Sequence, residues 1–391
     1  MEFELTPEQQ AIRTAILELL DPAGPLGDAY WLERDRTGGF PVEFFDAFAR
    51  GGWLGIAMPE AYGGVGLGIT AAAIAMQAVA ESGAGMAGAS AVHLNIFGLN
   101  PVVVFGTEEQ KQRWLPPMIR GEVKACFAVT EPNTGLNTLK LTTRAERCAD
   151  GYVITGQKIW TSTAQVATRM LILARTTPVE QVKRPTEGLS LFYTEFDRRH
   201  IEVREIDKMG RKAVDSNQLF IDALPVPESD RIGEEGRGFE YMLQGFNPER
   251  ILIAAEAIGL GRAALDRATR YARERAVFDR PIGANQAIQH PLAERWMQLE
   301  AANLMMLKAA TLYDQGKPCG AEANAAKYLA AEAGYSACET AVMIHGGMGY
   351  AKEFHVERYL REALIPRLAP VSRELILCYV AERVLGLPRS Y

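Results

Sequence analysis

The run from Asn247 to Phe278, NPERILIAAEAIGLGRAALDRATRYARERAVF, constrains this chain more than any other stretch. Its small and apolar residues (Ile251, Ile253, Ala254, Ile258, Gly261, Ala264, Leu265, Ala268 and Ala272) recur at the spacing that gives a helix one inward stripe. Its polar face carries Arg262, Asp266, Arg270 and Glu274, charges of alternating sign at i,i+4 steps. Asn247 can cap such a helix and Pro248 suits its first position. If a helix already runs through Phe239 to Phe246, the same proline marks a kink. On either reading Glu249 projects from one end of a long rod, and Arg275 and Phe278 stand at the other.

Around this rod the texture changes twice. Residues 1–123 read as helices: Pro7 to Leu20, Pro41 to Arg50, Ile69 to Ala80 after a glycine-rich turn, and one around Trp114 opened by a Thr107–Gln110 capping box. Pro116 and Pro117 are expected to close that last helix or start the next. Residues 124–235 are rich in β formers bounded by Gly, Pro or Asp, and predict an antiparallel sheet or small barrel. Within them YVIT and KIWT flank Gly156-Gln157, which signals a hairpin. From 236 to 391 the helical period returns over 239–278, 286–315, 322–344, a short piece after Lys352, and 372–385. The order is α+β: an N-terminal helical domain, a middle β domain and a C-terminal helical bundle.

The net charge of −6 argues against a nucleic-acid partner. The five cysteines are scattered, with no Cys-x-x-Cys pair, which points to reduced thiols, a cytoplasm-like compartment and no metal. The acidic, amphipathic start lacks the marks of a signal or transit peptide. No run of eighteen apolar residues is evident, since Glu81 stops the alanine-rich 71–80 stretch, so no membrane span is expected.

Several segments carry both a chemical and a packing reading. Gly259-Leu-Gly261 imitates a dinucleotide fingerprint but lies inside a helix, where close packing is the better account. In FAVTEPNTG (127–135), Thr130 can aim a hydroxyl and amides at a heteroaromatic edge, or the segment is a strand ending in a turn. Trp160 with Ser162 can wall a flat ring and donate to it, or Trp160 is a core residue. Arg275 and Phe278 either close a helix or meet a pyrophosphate. His345-Gly346-Gly347 is a helix C-cap whose bare amides could also hold a phosphate. His93 and His290 read as core histidines. Glu249 is either a first-turn acid complementing the helix dipole or a base tuned to remove a carbon-bound proton.

Taken in order, FAVTEPNTG, GQKIWTS (156–162), NPERILIAAEAIG (247–259), RERAVFDRPIGANQ (273–286), IHGGMGYAKEFHVER (344–358) and the helix after Ser372 resemble the acyl-CoA dehydrogenase family over nearly the full chain. The resemblance implies that the C-terminal helices form a four-helix bundle, and it implies FAD held at a subunit interface in a homotetramer or homodimer, an acyl-CoA substrate, and an electron-transfer flavoprotein as partner. It implies that Val129, Thr130, Trp160 and Ser162 surround the flavin ring. Arg275, Phe278, Gln286, Gly346 and Gly347 would serve the pyrophosphate and adenosine half from the neighbouring subunit, and Ser372 and Glu374 would touch FAD from the last helix. Phe246, Asn247 and Arg250 would meet the thioester substrate. Most members place the catalytic base just before the last helix, where this chain has Pro370. A subset, including isovaleryl-CoA and long-chain enzymes, places it on the long helix before an arginine, as Glu249-Arg250 does. The expected reaction is α,β-dehydrogenation to a trans-2-enoyl-CoA; a flavin oxidase or monooxygenase of the same fold, or a catalytically impaired family member, is the alternative.

Overall fold

The computed structural model describes residues 4–390. Seven helices come first: α1 (Pro7–Leu19), α2 (Asp28–Thr37), α3 (Val42–Arg50), α4 (Gly68–Val79), α5 (Gly85–Phe97), α6 (Asn100–Phe105) and α7 (Glu108–Ile119). Thr6 and Thr107 each close a reciprocal capping box, with Gln9 and Gln110. Helix α2 escaped the periodicity because its apolar residues form no stripe; only Trp31 and Asp35 are buried. Pro116 and Pro117 lie inside α7 rather than ending it. Each proline removes one donor, and the carbonyls so freed belong to Gln112 and Arg113, on the exposed side of the helix.

The 68–105 stretch is long and apolar enough, by length and composition, to cross a membrane, although no unbroken apolar run announces it. Here it is folded back into the protein. A widened turn at 80–84 and left-handed Gly83 and Gly85 (φ 106° and 65°) break it. Arg358 and Glu362, both 1 % exposed, grip the break: Arg358 Nη2 donates to the Gly83 carbonyl (2.6 Å) and Glu362 Oε2 accepts from the Ala87 N–H (3.2 Å). That grip sets the direction of α5.

Eight strands follow: β1 (Ala125–Ala128), β2 (Arg144–Cys148), β3 (Gly151–Ser162), β4 (Arg169–Arg175), β5 (Leu189–Glu195), β6 (Ile201–Glu205), β7 (Ser216–Pro227) and β8 (Arg231–Ile232). They form one sheet in the order β6-β7-β3-β2-β4-β5-β8, with β1 beside β4. Most pairs are antiparallel, but β1 runs parallel to β4, so the sheet is mixed. No hairpin forms at Gly156-Gln157, because β3 is continuous there. A Cβ at position 156 would collide with Thr143, and the register against β7 slips between Ile154 and Gly156. The glycine therefore marks a bulge and a close approach. The real turn is upstream at Ala149-Asp150, where Cys148 of β2 faces Gly151 of β3.

Helix α8 (Gly238–Glu274) then runs unbroken for 37 residues through Pro248. After a two-strand ribbon, β9 (Ala276–Val277) and β10 (Arg280–Pro281), come α9 (Gln286–Asp314), α10 (Gly320–His345), α11 (Val356–Glu362), α12 (Ile365–Leu368) and α13 (Arg373–Tyr379). Helix α8 packs on α10, α9, α4 and α5. Its glycines permit that: a Cβ at Gly259 would strike the Gln77 carbonyl, and one at Gly261 would lie 2.7 Å from Leu299 Cδ2. The packing account of these glycines holds.

Candidate active site

Two strands meet at Val129, Thr130, Trp160 and Ser162. The Ile159 N–H donates to the Thr130 carbonyl at 2.9 Å. Lys158 Nζ donates to the carbonyls of Val129 (3.0 Å) and Leu173 (2.8 Å), and pairs with Glu131 Oε1 at 3.1 Å. Burial pushes the Lys158 ammonium down to about 8, against the pull of Glu131. Burial alone would raise Glu131. The Lys158 charge and the bonds from Thr142 and Thr143 outweigh it and hold the carboxyl below its ordinary range. The two form a buried pair that staples the segment after β1 to β3. Just beyond it the register slips again, and Trp160 takes a left-handed backbone (φ 60°) that throws its indole outward, 57 % exposed. It is not a core residue. Ser162 Oγ accepts from Arg211 Nη2 (3.4 Å), and Arg211 Nη1 reaches Ser90 Oγ on α5 (3.0 Å).

A cleft of about 440 Å³ opens between α5, α6, α8 and β1. Leu94, Phe97, Pro101, Phe127, Met242 and Phe246 make its apolar walls, and His93 and Glu249 are its ionisable groups. Gly245 meets Phe97, and Tyr241 stacks near Phe105 (4.2 Å between rings), so α5–α6 and α8 run in opposite directions along the cleft. Because α8 is continuous, Glu249 lies well inside it, and the first-turn reading of this acid does not apply. Burial raises its carboxyl above the ordinary range; His93 and Arg250 pull it partly back, and Glu256 pushes it further up. The side chain is half-buried because its one open side is the cleft.

Phe246, Asn247 and Arg250 share the same turn of α8. Arg250 Nη1 donates to Asn247 Oδ1 (3.2 Å), its guanidinium lies 5.7 Å from the Phe246 ring centre, and its buried Nε has no partner. Across from it, Lys327 Nζ on α10 donates to the Val371 carbonyl (2.6 Å), anchoring the segment that holds Pro370. Burial, with Arg250 nearby, pushes Lys327 down to about 8; the charges of Glu249 and Glu374 act on the same ammonium in the opposite sense. Ser372 Oγ caps α13 by accepting from the Leu375 N–H (3.3 Å), and Glu374 is exposed.

The remaining candidates sit elsewhere. Arg275 caps the far end of α8, Phe278 stands 94 % exposed in the turn between β9 and β10, and Gln286 opens α9. Gly346 is the left-handed C-cap of α10 (φ 58°), and added Cβ atoms at Gly346 and Gly347 would meet nothing within 4 Å. At 1.5 Å per residue, Arg275 lies roughly 40 Å along the rod from Asn247. One chain does not bring the two groups together. The two histidines read as core also move. His290 is exposed, and His93 lines the cleft with Nδ1 at 2.6 Å from Glu256 Oε1. Glu256 was not singled out in the sequence; its partner is 163 residues away, beyond any periodicity.

Family models of the acyl-CoA dehydrogenase N-terminal, middle and C-terminal domains match residues 6–122, 126–224 and 236–385. The chain belongs to the acyl-CoA dehydrogenase family. It is 37 % identical over 395 residues to acyl-CoA dehydrogenase FadE12 of Mycobacterium tuberculosis, covering 100 % of this chain and 99 % of that one. Butyryl-CoA dehydrogenase from Megasphaera elsdenii superposes with a TM-score of 0.91 at 30 % identity, covering 98 % of this chain and 100 % of that one. A chain from a structure described as the electron transferring flavoprotein of Acidaminococcus fermentans gives 0.92 at 30 % identity, with the same coverage. This acyl-CoA dehydrogenase is therefore an FAD-dependent oxidoreductase acting on acyl-CoA.

Proposed function

We propose that the chain oxidises an acyl-CoA thioester to the trans-2-enoyl-CoA, with Glu249 as the base that takes the proton from the carbon α to the thioester. The observation that carries this is one carboxylate facing an apolar cleft, its proton affinity raised by burial. A base must be ionised at working pH yet basic enough to remove a carbon-bound proton, and burial opposed by His93 and Arg250 sets that compromise. FAD, when bound, supplies the two-electron acceptor for the β-carbon hydride. Phe246 and the Asn247–Arg250 pair hold the thioester end, and the aromatic walls exclude water from the reacting carbons. Pro370 has no N–H to offer a thioester oxygen and no acid to serve as base, which leaves that duty to α8.

The residues present fit the cofactor in two halves. The outward indole of Trp160 and the Ser162 hydroxyl offer a flat face and a donor to the ring. The Arg275 guanidinium and the open amides at Gly346 and Gly347 offer cationic and hydrogen-bonding partners to a pyrophosphate. The rod keeps these halves apart, so the second half comes from another copy of the chain, in a homodimer or homotetramer. The likeness to the Acidaminococcus chain supports an electron-transfer flavoprotein as the acceptor of the electrons.

Anaerobic titration with acyl-CoA tests the base. The protein as isolated should lose its visible flavin band, and Glu249→Gln should keep its flavin and bind the thioester but bleach about 10²–10⁴-fold more slowly. Bleaching at the original rate would remove Glu249 from the mechanism and favour the oxygen-using flavoenzyme reading.

A further inference from the structure

The cleft holds a second ionisable group, which neither takes the α proton nor holds the thioester. His93 reaches it from α5, and its ring is held from behind: Nδ1 lies 2.6 Å from Glu256 Oε1, and Glu256 is completely buried. Glu256 follows Glu249 by seven residues, two turns further along the same face of α8. Its second oxygen, Oε2, is buried with no hydrogen-bond partner, and its charge also acts on the guanidinium of Arg211. A buried ion pair with an unsatisfied oxygen is a poor way to stabilise an apolar core, since desolvation offsets most of the attraction. It is, however, an effective way to fix one imidazole edge. With Nδ1 engaged by a carboxylate, Nε2 is the ring nitrogen left for the cleft, and when the ring is protonated Nε2–H donates there. Burial alone would discharge the ring; the charges of Glu256 and Glu249 and the hydrogen bond outweigh it.

We propose that His93, positioned by Glu256, selects acyl groups that carry an uncharged hydrogen-bond acceptor, a hydroxyl or keto oxygen, beyond the carbons that react. The inference rests on Glu249 as the base, with the thioester at Phe246, Asn247 and Arg250. Glu249 and His93 line one cleft, so an acyl chain with its α carbon at Glu249 can bring a more distal oxygen to His93. The remaining walls are hydrocarbon or aromatic, so a single donor sets orientation and preference. An anionic tip is disfavoured because Glu249 lines the cleft and the buried Glu256 lies directly behind His93. A site built to donate to an oxygen discriminates against the analogue that lacks it, since the donor is then buried unpaired.

The test compares hexanoyl-CoA, 5-hydroxyhexanoyl-CoA, 5-oxohexanoyl-CoA and the carboxylate adipoyl-CoA as reductants of the flavoprotein. The protein as isolated should favour the hydroxy or oxo chain in kcat/KM. His93→Leu should lower the ratio of oxygenated to plain chain by about 10- to 100-fold. Glu256→Gln, which keeps the bond and loses the charge, should lower it by less. His93→Gln retains a donor of similar size and should recover part of the ratio, which also guards against a leucine variant that fails to fold. The proposal is overturned if hexanoyl-CoA or adipoyl-CoA is the best substrate, or if the His93 variants slow all chains equally, as a purely structural pair would require. Bleaching by hexanoyl-CoA that depends on Glu249, with no preference for oxygen, would leave the dehydrogenase reading standing and sink this one alone.

Discussion

Glu249 is held where stability and chemistry pull in opposite directions. Its carboxyl is raised above the ordinary value, so the folded state holds the proton more tightly than the unfolded chain does. The stability tied to that proton is fully present below the unfolded value and is lost as pH rises through the folded one. Glu249→Gln should therefore melt higher than the parent protein at pH 8, with the gap closing toward pH 4.5; a lower melting point at pH 8 would contradict a costly buried carboxylate. In the same pH range the rate of flavin bleaching should climb through one ionisation, because only the carboxylate removes the α proton. The Lys158–Glu131 staple is a second case. Lys158→Met leaves Glu131 buried without its counter-charge and should cost about 3–5 kcal/mol in denaturant unfolding. Adding Glu131→Gln should return part of that loss, and no recovery would mean the pair does not act as a pair. That Glu249, Arg250 and Asn247 lie together is legible because they share one helical turn in sequence. That His93 and Glu256 do is not, since the bond that gives them meaning joins two distant helices.

At the scale of elements, the helices with an apolar stripe and a cap were read almost to the residue, as α1 and α7 show at their capped ends. The failures have local causes. Helix α2 offers no stripe, α5 begins at a glycine break fixed by Arg358 and Glu362 from the far end of the chain, and Gly156 looked like a turn because a bulge and a turn ask for the same residue. Glycine in α8 shows the converse, where packing overrules propensity. On helix propensity alone, Gly259→Ala gains up to about 1 kcal/mol. The Gln77 carbonyl, Ala80 and the Glu81 peptide already fill the space its methyl would need, and this is backbone that cannot rotate away. The net effect should be a loss of about 1–3 kcal/mol in thermal or chemical unfolding. A stabilised Gly259→Ala would show that α4 and α8 are looser than this packing implies.

The whole molecule poses a problem that one chain does not solve. Asn247 and Arg250 beside the cleft and Arg275, suited to a pyrophosphate, stand far apart along α8, with the apolar side chains of Phe278, Met343 and Tyr350 exposed as well. Exposed apolar surface of this kind marks contact with another protein surface. Along α9, Trp296, Met297 and Leu304 are exposed as well. On the proposed reading, a second copy related by a two-fold axis would meet both needs at once, each subunit lending its far end to the other's cleft. Two dead variants separate this arrangement from any site completed within one chain. Glu249→Gln removes the base beside the ring, and Arg275→Ala removes the cation at the far end. Each homo-oligomer should fail, the second through weak flavin retention. Coexpressed as mixed dimers, one site carries both defects and the other carries neither. Random pairing should then restore activity in about a quarter of all sites, read as acyl-CoA-dependent bleaching of the mixed preparation. If the far cluster instead served its own chain, every site in the mixture would carry one defect, and mixing would restore nothing.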